Sequence, residues 1–131
     1  TLDDRNTEFP SIDGRIQARK NRYAYAMDIP RSGDTLRFTG IVKYDLERET
    51  NTVHTFGLGM SGSESSFAPR EGSVGEDDGY LISLVHASGA KTSLVFVYDA
   101  RDITRGPVAK LEVPVRVPLG FHACWASGDG F

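Results

Sequence analysis

A single cysteine, Cys124, stands among 131 residues. That excludes an internal disulfide framework and any zinc site built on cysteines. It suits a reducing compartment without proving one. No apolar run approaches the roughly 18 residues that a membrane-crossing helix needs. Helical periodicity is nearly absent: no window carries apolar residues at i, i+3, i+4 and i+7 with matching caps. Lys and Arg together number 15 against 18 Asp and Glu, a net charge of -3, so there is no electrostatic footprint for nucleic acid. The one basic run, Arg19-Lys20-Asn21-Arg22, is short and reads as a solvated loop. The start, Thr1-Leu2-Asp3-Asp4-Arg5, has no initiator Met, no basic leader and no apolar signal core. The expectation is that the chain begins inside a longer protein.

What remains is a β-type pattern in a length that fits one domain. Short apolar runs recur between Gly, Pro, Asp and Ser. Strands are expected at Tyr23–Met27, Thr39–Asp45, Thr52–Phe56, Ser66–Pro69, Tyr80–His86, Ser93–Asp99, Val108–Val113 and Phe121–Trp125. Glu47–Asn51 reads as a hairpin turn, and Ser88–Lys91 as another. Tyr80–His86 and Ser93–Asp99 are nearly continuous apolar runs, which predicts cover on both faces. Such a series suggests a sandwich, a barrel or part of a propeller.

Candidate chemistry is sparse. His122 lies between apolar and aromatic neighbours near the C-terminus, after Pro118 and Gly120. A lone imidazole there is either a core histidine or a metal ligand, and the residues alone favour the core. His54 sits on a strand. His86 ends an apolar strand before a turn and is expected near solvent. The acidic group Glu76-Asp77-Asp78-Gly79 lacks the alternating ligands of a calcium loop and reads as a turn whose Asp side chains bond their own backbone. Gly57-Leu58-Gly59-Met60-Ser61-Gly62 is followed by no helix and is rejected as a phosphate loop. Cys124 reads as core filler rather than a nucleophile. Phe67, Phe121 and Trp125 are core aromatics or tunnel residues.

Several ordered segments nevertheless resemble one family across nearly the whole chain. They are Leu2-Asp3-Asp4-Arg5 leading to Glu8-Phe9-Pro10, Arg22-Tyr23-Ala24-Tyr25, Val42-Lys43-Tyr44-Asp45 and Glu64-Ser65-Ser66-Phe67-Ala68-Pro69-Arg70. Glu76–Tyr80, Val97–Ala100, Gly106–Ala109 and Val115–His122 follow in order. The set resembles the C-terminal quarter of a carotenoid cleavage oxygenase, the family of apocarotenoid and lignostilbene dioxygenases. The resemblance implies an all-β fold, with residues 1–131 as the C-terminal part of a seven-bladed β-propeller: about two blades plus a C-terminal strand.

It also implies a function: cleavage of a conjugated C=C bond of a carotenoid, apocarotenoid or stilbene by O2 and ferrous iron, Fe(2+), held by four histidines. His122 matches the last ligand. Glu8 and Glu64 match carboxylates that orient ligand histidines, and both are expected to serve ligands outside the chain. Imidazole suits ferrous iron, and a carboxylate on its other nitrogen fixes tautomer and orientation. Phe67 is a candidate for contact with the apolar substrate. Ser65 replaces the family's Pro and is expected to loosen the loop that places Glu64, while Ala123 replaces a frequent Gly. The implied partners are a small apolar substrate, O2 and the remainder of the propeller. A cytoplasmic setting is implied, with peripheral membrane contact left open. With one ligand of four, the isolated chain is expected to be inactive, and its open sheet edges to invite association. The competing reading is a non-catalytic β-domain that binds or joins a partner.

Overall fold

A computed structural model describes residues 3–31, 37–120 and 122–128. Leu2 and Phe121, named above, lie outside the described residues. Two four-stranded antiparallel sheets account for the strands. The first is formed by β1 (Asn6–Ser11), β2 (Tyr23–Ile29), β3 (Gly40–Asp45) and β4 (Thr50–Thr55), paired in sequence order. The second repeats that plan with β5 (Met60–Pro69), β6 (Gly79–Ala87), β7 (Ser93–Asp99) and β8 (Ala109–Val113).

Local chemistry explains the hairpins. Between β3 and β4, Asp45 accepts hydrogen bonds from the backbone N–H groups of Glu47 and Arg48, which closes the turn. Arg22 grips the same carboxylate through two nitrogens and holds its pKa down to about 2. Between β4 and β5, Gly57 (φ 117°) and Gly59 (φ 71°) adopt backbone angles that side chains resist.

The core lies between the sheets. Tyr25, Met27 and Ile41 from the first meet Phe67, Leu81, Val85, Phe96 and Tyr98 from the second, all almost fully buried. Polar bonds tie the sheets together. The Gly62 N–H donates to Phe38 O (2.8 Å), the Tyr25 hydroxyl to Ala100 O (3.3 Å) and the Ser11 hydroxyl to Ser65 O (3.1 Å).

The acidic segment Glu76–Asp78 is a turn, but its side chains do not serve their own backbone as expected. Glu76 accepts from the N–H groups of Arg22 and Tyr23, Asp77 from Lys43 Nζ at 2.6 Å, and Asp78 from Arg70 Nε at 2.9 Å. Buried Lys43 demands a counter-charge, and that need overrides local turn bonding.

Four further expectations change. Asn6–Ser11 is a strand that apolar patterning does not flag. It tolerates Pro10 because β1 is an edge strand. β5 begins at Met60 rather than Ser66. β6 alternates buried and half-buried residues, so the sheets cover one face of it and leave Ile82 and Leu84 half-buried on the other. Residues 122–125 form no strand; they belong to an exposed segment that follows β8.

Candidate metal-ligand site

The first strand of each sheet carries a β-bulge, and each bulge involves a candidate glutamate. In β1, Glu8 pairs with Met27 and Ser11 with Tyr25, so Phe9 and Pro10 oppose Ala26 alone. In β5, Gly62 pairs with Val85 and Ser65 with Ser83, so Ser63 and Glu64 oppose Leu84 alone. A two-against-one bulge re-aims side chains and is a recurrent device beside functional sites. Phe9 adds a second irregularity, φ 54°, which a bulky residue adopts only where surrounding contacts enforce it.

The β5 bulge turns Glu64 toward the C-terminal segment. Its Oε2 accepts the Ala123 N–H at 2.7 Å and lies 3.3 Å from His122 Nδ1. The Glu64 side chain is 15% exposed and that of His122 77%, so a shielded carboxylate holds a presented imidazole. The Phe9 ring meets the imidazole edge-on, with centroids 5.0 Å apart. Thus residues 58 positions apart converge, and both bulged strands touch His122.

This arrangement corrects one expectation. Glu64 meets His122 itself rather than serving only a ligand outside the chain. Ser65 does not loosen the bulge either. Its buried hydroxyl bonds the Ser83 hydroxyl and lies 3.2 Å from Met27 Sδ, which pins the strand. Glu8 lies exposed on β1, and its side chain makes no hydrogen bond or ion pair with the described residues.

The other candidates sort clearly. Phe67 is buried and stacked on Tyr25 (centroids 5.9 Å apart, 18° between planes). It also backs an open groove of roughly 580 Å³, walled by Pro10, Ile12, Glu64, Ala123 and Trp125. Cys124 is exposed, not core filler, because the segment it sits on is not a strand. His86 is buried, against expectation, and burial lowers its pKa. His54 is half-buried against Tyr98, with centroids 5.0 Å apart, and its pKa is lowered by burial and then by Lys110. Among the described residues no three His, Cys, Asp or Glu side chains cluster as a metal site. No helix among them is long and apolar enough to cross a membrane.

Residues 1–127 match the family described as RPE65, retinal pigment epithelial membrane protein. The chain belongs to this family, the carotenoid cleavage oxygenases. A carotenoid 9,10(9',10')-cleavage dioxygenase of Arabidopsis thaliana is 37% identical over 135 residues, covering 93% of this chain and 24% of the plant protein. The apocarotenoid-15,15'-oxygenase of Synechocystis is 34% identical over 119 residues, covering 91% of this chain and 24% of that protein. The cobalt-substituted Synechocystis oxygenase superposes with a TM-score of 0.86 at 33% identity, over 95% of this chain and 26% of that one. The chain therefore spans about a quarter of the length of each of these relatives.

Proposed function

We propose that this chain forms part of an oxygenase that cleaves a conjugated carbon–carbon double bond of a carotenoid, apocarotenoid or stilbene into two carbonyl products. In this reading residues 1–131 supply about two blades of a seven-bladed propeller. His122 supplies one ligand to ferrous iron, whose chemistry when bound is to activate dioxygen.

The observation that carries the reading is the contact of Glu64 with His122. A carboxylate on Nδ1 selects the tautomer protonated at that nitrogen, so Nε2 carries the lone pair that a metal needs. The second bond, from Ala123 N–H to the same oxygen, fixes the backbone beside the ring. The donor set fits the metal as one corner of a site; histidines from the rest of the protein would complete it. Glu8, exposed on the equivalent bulged strand of the first sheet, would orient such a histidine.

The groove beside Glu64 suits an apolar substrate, with Pro10, Ile12 and Trp125 as its walls and Phe67 behind them. The half-buried apolar face of β6 suits another blade of the propeller. With a single histidine ligand, the chain alone holds no iron and turns nothing over. The full-length protein is tested by its metal content and by cleavage of an apocarotenal and a stilbene. Bound metal and carbonyl products are expected. A full-length protein that retains neither would sink the reading.

A further inference from the structure

His86 on β6 and Ser93 on β7 are buried polar neighbours, 4% and 0% exposed, with Ser93 Oγ 3.1 Å from His86 Nδ1. Ser93 Oγ also accepts the N–H of Val117 at 2.9 Å. The Val117 N–H takes one lone pair of Ser93 Oγ, and the bond shared with His86 Nδ1, whose direction follows the imidazole tautomer, holds the hydroxyl from the other side. Nε2 is buried and has no hydrogen-bond partner among the described residues. Burying a polar atom without a partner is costly, so the pair is retained against that cost. His86 and Ser93 thus hold each other in register, and His86 fixes where the Ser93 hydroxyl stands.

The segment after β8 turns back over this pair. Arg116 reaches Ala90 O at 3.3 Å, Val117 is held by Ser93, and Ala123 is held by Glu64. No strand pairing fixes the described residues between these points. Its anchors fall on either side of His122, Val117 before it and Ala123 directly after.

We propose that Ser93, oriented by His86, is a positioning residue for the metal site: it latches the C-terminal strap at Val117 and so limits where His122 can stand. The proposal rests on the reading of His122 as a ligand. Glu64 fixes the ring and the residue after it. The latch fixes the chain leading into it. An anchor on one side alone leaves more freedom to the chain leading into His122, and that freedom must be lost again whenever metal binds.

The test uses the full-length protein, with cobalt(II) as the probe. In Ser93→Ala the Val117 amide exchanges faster, cobalt affinity falls about fivefold, as for one lost hydrogen bond, and the visible cobalt spectrum changes. The amides of Leu81 and Tyr98 in the core keep their protection. Ser93→Thr, which keeps the hydroxyl, restores both readouts. Should Ser93→Ala not accumulate as folded protein, Val117→Pro leaves Ser93 and His86 in place and removes the N–H donor, together with the valine side chain and the φ freedom at that position, and is expected to give the same loss. Unchanged cobalt affinity and spectrum in a variant whose Val117 anchor is gone overturn the proposal. So does loss of core protection in step with the strap. Retention of cobalt by His122→Ala would instead overturn the reading of the site itself.

Discussion

Replacing Glu64 with alanine removes two contacts of unequal weight. The bond from Ala123 N–H to Oε2 is short, 2.7 Å, and shielded, because the Glu64 side chain is only 15% exposed. A hydrogen bond to a charged acceptor of this kind contributes about 1.5–3 kcal/mol. The contact with His122 is longer, 3.3 Å, and the imidazole is 77% exposed, so solvent screens it and it adds little to folding. Its value lies in metal binding. Losing the carboxylate that orients a ligand histidine weakens metal affinity by about 10–100-fold. Glu64→Ala is therefore expected to raise the cobalt(II) dissociation constant of the full-length protein into that range, with faster exchange of the Ala123 amide. Glu64→Gln keeps an acceptor for Ala123 but no charge, so it spares the amide and still weakens the metal. Titration followed by visible absorption, together with amide exchange, reads both effects. A Glu64→Ala protein within twofold of the parent in cobalt affinity refutes the reasoning.

Three other outcomes follow from the fold. In Gly79→Ala the added Cβ would stand 2.6 Å from Phe67 Cζ, so a destabilisation of about 1–3 kcal/mol is expected in chemical denaturation. Lys43→Met removes the cation bonded to Asp77 (2.6 Å) and to Arg101 O (2.9 Å), leaving a largely shielded carboxylate unpaired; a loss of about 2 kcal/mol in unfolding free energy is expected, against no loss if the pair is dispensable. His86 and His54 have folded pKa values below the ordinary 6.5. Their neutral forms are favoured in the fold, so stability is complete above about pH 6.5 and falls as pH drops below it. The slope is at most about 1.4 kcal/mol per pH unit for each histidine. His86→Gln, compared with the parent at pH 7.5 and 5.5, should flatten part of that slope; an identical slope would count against the assignment.

The strands legible in the sequence were those whose side chains alternate or run apolar, such as Ser93–Asp99, which β7 matches end to end. β1 was hidden because Asn6-Thr7-Glu8-Phe9-Pro10-Ser11 holds one large apolar residue and a proline. Its pairing rests on backbone bonds to β2 and on Phe9. The first half of β5 was hidden by small polar residues, which pack as the buried Ser63 and Ser65 instead of forming an apolar stripe. The aromatic C-terminal segment misled in the other direction. Its composition suits a strand, yet among its described residues the Ala123 N–H bonds the Glu64 carboxylate rather than a ladder partner. Glu64 and His122 were named from family motifs, but no spacing rule brings together residues 58 apart. Their contact follows from a bulge, and a bulge leaves no mark in a pattern of period two. His86 was misjudged because its partner, Ser93, lies on the next strand and is itself bonded by Val117, more than 20 residues further along the chain.

The central claim is that His122 ligates a metal. Elemental analysis of the full-length protein, purified in parallel as the parent and as His122→Ala, tests it most directly when each is also checked for a cooperative unfolding transition. Iron is expected in the parent and is expected to be lost from a variant that remains folded. Iron retained at the parent's level by folded His122→Ala protein would contradict it.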